Sequence, residues 1–154
     1  MSDDMPDPTA KPESILLRLP SRLELLGLLD RVADSLCERL EFDEDARSQV
    51  TMSVIEAGTN AIQHGHHRDA SKLVDFEFRV RPESLEILVR DSGSGFEITA
   101  VNGDVTSVEH LLDARGRGIY IMRACMDRVE WTFSAEGTTC RLLKNRLPPP
   151  ARDP

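Results

Sequence analysis

The chain has 154 residues, 40% of them hydrophobic and 30% charged, which is enough for one globular domain with its own core. Its net charge of −8, from 19 basic and 27 acidic residues, opposes general binding to nucleic acid or to an anionic membrane. No run approaches the roughly 18 apolar residues that a membrane span requires. The acidic, proline-rich N-terminus does not resemble a signal peptide, and the three cysteines form no CxxC motif, so we expect a cytoplasmic protein with reduced thiols.

Both ends of the sequence are rich in proline and charge and offer little to bury. We therefore expect disordered extensions over residues 1–13 and 148–154, on either side of one domain over residues 14–147. The domain is predicted to begin with a short strand over 15–19, which Pro20 closes.

The segment that follows has the signals of a helix. Ser21 is placed to cap a helix over 21–40, and Glu24, three residues on, gives the spacing of a capping box. The leucines of this segment recur at helical spacing. This leucine-rich helix also offers a face through which two copies of the chain can form a homodimer.

A second helix is predicted to begin after Asp43, whose side chain can cap it, and to end near His64 and Gly65. Glycine suits the position after a helix because it adopts the left-handed conformation without strain. The apolar stripe of this helix comprises Ala46, Val50, Val54, Ala57 and Ala61.

Apolar and charged residues alternate from Val74 to Val80, which predicts a strand with one buried face. A turn through Pro82 leads to a partner strand that ends at Asp91. The remaining predicted elements are a glycine-punctuated segment over 92–117, a helix over 118–127, and strands over 129–135 and 138–144. Helices followed by hairpins favour an α+β fold, a two-layer sandwich with a mixed or antiparallel sheet and helices on one face.

Three motifs combine polar residues and glycines: EAGTNAIQHG at 56–65, DSGSGF at 91–96 and RGRGI at 115–119. Taken singly, each has an ordinary structural explanation, as solvated helix residues, a flexible turn and a basic loop. Together they supply a helix carboxylate and amide, a slot for a planar ring and a helix start that can bind anions. These are the parts of a nucleotide site.

The spacing within the motifs supports that interpretation. Glu56 and Asn60 are four residues apart and are therefore neighbours on one helical face, at the rim of the apolar stripe. Asp91 stands at a strand end, and Gly93 and Gly95 allow the following backbone to approach a ring closely.

The motifs, in this order and spacing, resemble the N-box and the two glycine boxes of the GHKL superfamily of ATP-binding domains, which has the Bergerat fold. The likeness covers about residues 14–145 and includes the closing strand GTTCRL. In particular, the sequence resembles the small stand-alone anti-sigma-factor serine/threonine kinases.

The resemblance implies a role for each motif residue. Glu56 would be the general base, Asn60 would hold Mg²⁺ through its amide oxygen, and Asp91 would accept a hydrogen bond from the adenine amine. The backbone at Gly93 and Gly95 would pass beside the base. The residues implied around the phosphates are Arg115, Gly116, Arg117 and Gly118. At the adenine end, either Thr138 or Thr139 would support the base, and we take Thr139 as the candidate.

Other sites are disfavoured by the sequence. It contains no GxxxxGK[ST] motif of the Walker type, and DSGSGF lacks the third glycine of a dinucleotide fingerprint. His64, His66 and His67 could suggest a metal site, but no second cluster of ligands accompanies them.

The resemblance implies a kinase that holds ATP and Mg²⁺, phosphorylates a serine or threonine of a STAS-domain anti-anti-sigma protein, and sequesters a sigma factor. No histidine precedes His64, as a histidine kinase's phospho-accepting hairpin would require, and the chain is too short to add the transducer domain of a gyrase-like ATPase. The alternative is an ATP-dependent protein-binding module without phosphoryl transfer. Glu56 favours the kinase, because nucleotide binding alone requires no base.

Overall fold

A computed structural model of the protein describes residues 9, 11–95 and 114–147. The predictions for most of the two expected extensions, for Phe96 of the DSGSGF motif and for the rest of the segment 96–113 lie outside the described residues. Within the described part, the chain forms an antiparallel sheet with helices packed on one face.

The strands of the described residues are β1 (Glu13–Pro20), β2 (Leu73–Arg81), β3 (Ser84–Asp91), β4 (Arg128–Ser134) and β5 (Gly137–Asn145). They form one sheet in the order β1-β2-β3-β5-β4, in which every neighbouring pair is antiparallel. The predicted hairpins are confirmed, and the sheet is antiparallel rather than mixed. Because β5 lies beside β3, the last residue of β3, Asp91, pairs with Thr138.

The α-helices of the described residues are α1 (Leu26–Arg39), α2 (Glu44–Asn60) and α3 (Ala114–Cys125). Helix α2 lies between the other two and contacts both. The fully buried core combines alternate sheet residues with helix residues, among them Phe76, Phe78, Leu85, Ile87, Leu29, Val54 and Met122. The predicted α+β two-layer sandwich is therefore confirmed. In the described part of the chain, no helix has the length and apolar character needed to cross a membrane.

Helix α2 begins as predicted, because the Asp43 side chain accepts the Ala46 backbone N–H at 2.8 Å. The helical segment ends at Gly65, as predicted, but its last turn has a different geometry. A π-helical turn, Ala61–Gly65, extends it, and the left-handed residues that follow are His67 and Arg68, with φ of 49° and 60°. Gly65 therefore does not serve as a left-handed helix stop.

The predicted cap at Ser21 is wrong. A 3₁₀ turn, Leu23–Leu25, precedes α1, and the residues at the two N-cap positions, Arg22 and Leu25, make no capping hydrogen bond with their side chains. The Ser21 hydroxyl is buried instead, where it donates to the Lys72 carbonyl at 2.9 Å and lies 2.6 Å from Nδ1 of His66. These long-range partners take the hydroxyl away from the local helix start.

The start of α3 also differs from the prediction. The helix begins at Ala114, so RGRG lies within its first turns rather than before it. Its C-terminal end is held by Lys144, whose ammonium donates to the Cys125 carbonyl at 2.6 Å and to Oε1 of Gln49 at 2.7 Å. A cation at a helix C-terminus is favourable, and this one also ties α3 to α2.

Candidate nucleotide-binding site

A pocket lies between α2, its π-helical turn and the inner face of the sheet. Asn60 and Asp91, which the motifs predicted, both line it. The other lining residues are Ala57, Ala61, His64, Gly65, Val89, Gly95, Trp131, Thr138 and Cys140. The N-box and the first glycine box therefore meet at one concave site, as the spacing of the motifs indicated.

The carboxylate of Asp91 is held against the backbone of the π-helical turn. A β-carbon on Gly65 would lie 2.6 Å from Oδ1 of Asp91, and one on Gly93 would overlap the Gly65 carbonyl oxygen. The Gly93 backbone N–H donates to Oδ1 of Asp91 at 2.8 Å, which closes a tight turn after β3. Close approach, rather than a positive φ, therefore requires glycine at both positions: the Asp91 carboxylate lies against Gly65, and the Gly65 backbone lies against Gly93.

Glu56 and Asn60 project toward the N-terminal half of α3. A β-carbon on Gly118 would lie 2.7 Å from Oε2 of Glu56 and 3.8 Å from Nδ2 of Asn60. The absence of a side chain at Gly118 thus lets α3 approach the two polar residues of α2. The structure brings the candidate base, the candidate metal ligand and the second glycine box together.

The other residues predicted to lie around the phosphates belong to the first turns of α3. Gly116 is buried and Arg117 is exposed on α3. Arg115 belongs to the same helix, but its side chain lies outside the described residues, as does the segment 96–113. The roles of these residues around the phosphates remain predictions.

Thr138, and not Thr139, faces the pocket. Side chains alternate along β5, so Thr138 and Cys140 point to the helix side and Thr139 to the opposite face of the sheet. Thr138 is 6% exposed, and its hydroxyl has no hydrogen-bond partner among the described residues. An unpartnered hydroxyl in a pocket is suited to a ligand. The choice of Thr139 is corrected to Thr138.

Sequence reasoning missed two residues of this region. Trp131, the chain's one tryptophan, lines the pocket from β4, and the Arg123 guanidinium lies 5.5 Å from its ring centroid. The alternation of apolar and polar residues along β4 could have predicted that the Trp131 side chain points inward. His66 is buried behind the pocket and contacts Ser92, the residue between Asp91 and Gly93. Burial lowers the pKa of His66.

The donor groups at the site restrict how a metal could be held. Among residues 9, 11–95 and 114–147, no cluster of three or more His, Cys, Asp or Glu side chains could bind a metal ion. The Asn60 amide oxygen is a hard donor of the type that Mg²⁺ accepts, and Mg²⁺ usually keeps several waters and phosphate oxygens as ligands. The residues present therefore fit Mg²⁺ bound together with a nucleotide.

Comparison with known proteins agrees with this geometry. Residues 19–144 match the family of histidine kinase-like ATPase domains. The chain is 28% identical over 135 residues to the serine-protein kinase RsbW of Bacillus subtilis strain 168, and 30% identical over 135 residues to that of Bacillus licheniformis, with 84% of both chains covered in each case.

A solved structure shares the fold. The histidine kinase domain from the blue-light activated histidine kinase of Erythrobacter litoralis EL346 matches with a TM-score of 0.51 at 19% identity, over 81% of this chain and 60% of that one. The predicted resemblance to the GHKL superfamily and its serine kinases is confirmed. This chain belongs to the family of histidine kinase-like ATPase domains.

Proposed function

We propose that this protein is a cytoplasmic serine/threonine kinase that phosphorylates a STAS-domain anti-anti-sigma protein with ATP and Mg²⁺ and that sequesters a sigma factor. The observation that carries the proposal is the meeting of Glu56, Asn60 and Gly118 beside a pocket that also contains Asp91. The names of the two Bacillus relatives, both serine-protein kinases, support it.

At the adenine end, the Asp91 carboxylate accepts a hydrogen bond from the exocyclic amine. The Gly93 N–H already occupies Oδ1, so the same carboxylate is fixed in orientation before the base arrives. The unpartnered Thr138 hydroxyl is available to the nucleotide, and Val89 and Trp131 contribute apolar walls.

At the phosphate end, Asn60 would hold Mg²⁺ through its amide oxygen. When bound, the ion supplies charge neutralisation on the phosphate oxygens. The first turns of α3 contribute backbone N–H groups to the same region, and Arg115, Gly116, Arg117 and Gly118 belong to those turns.

In the transfer step, the serine or threonine hydroxyl oxygen of the partner attacks the γ-phosphorus. The bond between that phosphorus and the β–γ bridging oxygen breaks, and ADP leaves with the electron pair. The proton of the attacking hydroxyl passes to the Glu56 carboxylate, which acts as the general base.

The test is phosphoryl transfer from γ-labelled ATP to candidate STAS proteins by the wild type and by Glu56→Gln. Glutamine keeps the size and hydrogen-bonding reach of the side chain but cannot accept the proton, so ATP affinity should hold while transfer falls by about 10²–10⁴-fold. Glu38→Gln, an exposed change on α1, is the matched control and should transfer like the wild type. A wild type that binds partner only with ATP, yet transfers no phosphate, would support the binding module instead.

A further inference from the structure

His66 is a buried histidine that joins three parts of the chain behind the candidate adenine pocket. Its ring is 1% exposed and follows the π-helical turn. Nδ1 lies 2.6 Å from the Ser21 hydroxyl at the end of β1. Nε2 accepts the Ser92 backbone N–H at 2.8 Å and lies 2.9 Å from the Ser92 hydroxyl.

These contacts define the protonation state of the ring. A backbone N–H can only donate, so Nε2 must carry a lone pair and the proton of the neutral ring is on Nδ1. Nδ1–H then donates to the Ser21 oxygen, whose own hydroxyl donates to the Lys72 carbonyl at 2.9 Å. The Ser92 backbone N–H therefore has an acceptor only while Nε2 is unprotonated, as it is in this neutral form of the ring.

We propose that His66 is a positioning residue of the nucleotide site. Its neutral ring holds the Asp91–Gly93 turn in the shape that receives adenine, and the protonated ring no longer holds the turn in that shape. The link to adenine rests on the proposed function. Ser92 is the middle residue of this turn, and its neighbours are joined by the hydrogen bond from the Gly93 N–H to Oδ1 of Asp91. Fixing the Ser92 backbone therefore fixes the Asp91 carboxylate against Gly65.

Protonation changes Nε2 from a hydrogen-bond acceptor into a donor. A proton on Nε2 would face the Ser92 N–H, donor against donor, so that hydrogen bond would be lost, and only the Ser92 hydroxyl oxygen could accept from the protonated ring. Burial lowers the pKa of His66; Asp91 and Asp69 oppose this shift, and Lys72 adds to it. The ring is therefore neutral at neutral pH and becomes charged as the pH falls below the usual histidine range. ATP affinity should fall over the same acidic range.

Two substitutions at His66 distinguish an effect on the position of the Asp91–Gly93 turn from a general loss of stability. In His66→Gln, the side-chain oxygen can occupy the place of Nε2 and accept the Ser92 N–H, and it does not titrate. In His66→Asn, the shorter amide reaches only the place of Nδ1, so the Ser92 N–H loses its acceptor. His67→Asn is the matched control, because His67 is exposed and its φ of 49° suits asparagine.

Three measurements apply to each variant: ATP affinity from the fluorescence of Trp131, amide hydrogen exchange of Ser92 in the free protein, and urea unfolding. We expect His66→Asn to lose about tenfold in ATP affinity at neutral pH, the cost of one buried N–H without an acceptor. Its Ser92 amide should exchange faster than in the wild type. His66→Gln should stay within about threefold of the wild type and should not show the wild type's decline in affinity as the pH falls below the usual histidine range.

The outcomes are distinguishable. Equal losses of affinity in both His66 variants, in proportion to their losses of unfolding free energy, would overturn the positioning role, as would an unchanged Ser92 exchange rate in His66→Asn. If the wild type binds no ATP while His66→Asn still accelerates Ser92 exchange, the proposed kinase function fails and His66 remains the residue that fixes the turn.

Discussion

Gly118 of α3 lies directly against the carboxylate of Glu56 on α2, so closely that a β-carbon would come within 2.7 Å of Oε2. The far end of α3 is fixed by Lys144, which bonds the last residue of the helix and Gln49 of α2. The candidate base therefore lies between two helices that approach each other closely at Gly118 and are joined through Lys144 at the C-terminal end of α3. That confinement makes its catalytic geometry sensitive to one methyl group.

Gly118→Ala should separate catalysis from stability. Alanine favours a helix by up to about 1 kcal/mol over glycine, so the thermal midpoint should not fall. The new methyl group would push the flexible end of Glu56 aside, and transfer should drop by about 10²-fold, the cost of a displacement near 1 Å. Gly27→Ala is the matched control: a β-carbon there meets nothing within 4 Å, so this change in α1 should stabilise the protein without slowing transfer. Full transfer by Gly118→Ala would show that the base does not act from this position.

The predicted elements that agree with the structure are those specified by local pattern. Alternation in β2 and β3, the turn between them and the Asp43 cap all depend on residues close in sequence. The Ser21 cap failed because its hydroxyl bonds His66 and Lys72, which are 45 and 51 residues away. The start of α3 was missed because its glycines were interpreted as helix breakers. Gly118 instead lies within the helix, where its lack of a side chain leaves room for the Glu56 carboxylate.

In the candidate site, too, the residues specified by local pattern were predicted, whereas those that depend on contacts distant in sequence were not. The N-box pair was identifiable because its two residues lie one helical turn apart, and Asp91 because it ends a strand. The orientation of Thr138 depends on the pairing of β5 with β3, a contact between strands distant in sequence. The role of His66 depends on three segments that meet only in the folded chain.

Thr138→Val tests whether the unpartnered hydroxyl serves the nucleotide. Valine keeps the shape but removes a buried polar group without a partner, so the free protein should gain about 1 kcal/mol in unfolding free energy. ATP affinity should fall about fivefold if the hydroxyl bonds the nucleotide. Ser53→Ala is the control, since Ser53 has the other buried hydroxyl of the described residues without a partner and does not line this pocket. It should leave ATP affinity unchanged. A Thr138→Val protein that binds ATP like the wild type would argue against the contact.

Asp91→Asn should weaken ATP binding and reduce the preference for ATP over GTP. The Gly93 N–H bonds Oδ1 at 2.8 Å, so the asparagine oxygen should remain there and its NH₂ group should face the adenine amine, donor against donor. We expect about a tenfold loss of ATP affinity. Competition of ATP with GTP in a calorimetric titration measures both effects. Asp30→Asn, an exposed change on α1, controls for net charge. Unaltered base preference in Asp91→Asn would exclude the adenine role.

The free energy of unfolding at acid pH should depend on Glu77, which lies on the face of the sheet opposite the helices. Nε of Arg79 and Nη2 of Arg90 each lie 2.8 Å from its carboxylate, and the Ser14 hydroxyl donates to it at 2.9 Å. The hydrogen bond from Arg79 is the largest cause that lowers the pKa of Glu77, from 4.5 to about 2. The ionised group binds its partners only in the folded state, so its stabilising contribution is complete above pH 4.5 and is lost as the pH falls toward about 2.

Glu77→Gln removes that titration. Compared with the wild type, the variant should unfold at lower urea at neutral pH, and the difference between the two midpoints should shrink steadily as the pH falls from 4.5 toward about 2. Glu83→Gln, an exposed change in the turn between β2 and β3, should track the wild type throughout. If the difference between the urea midpoints of the wild type and Glu77→Gln stays constant over this range, the packing of the side chain, rather than its charge, stabilises the sheet.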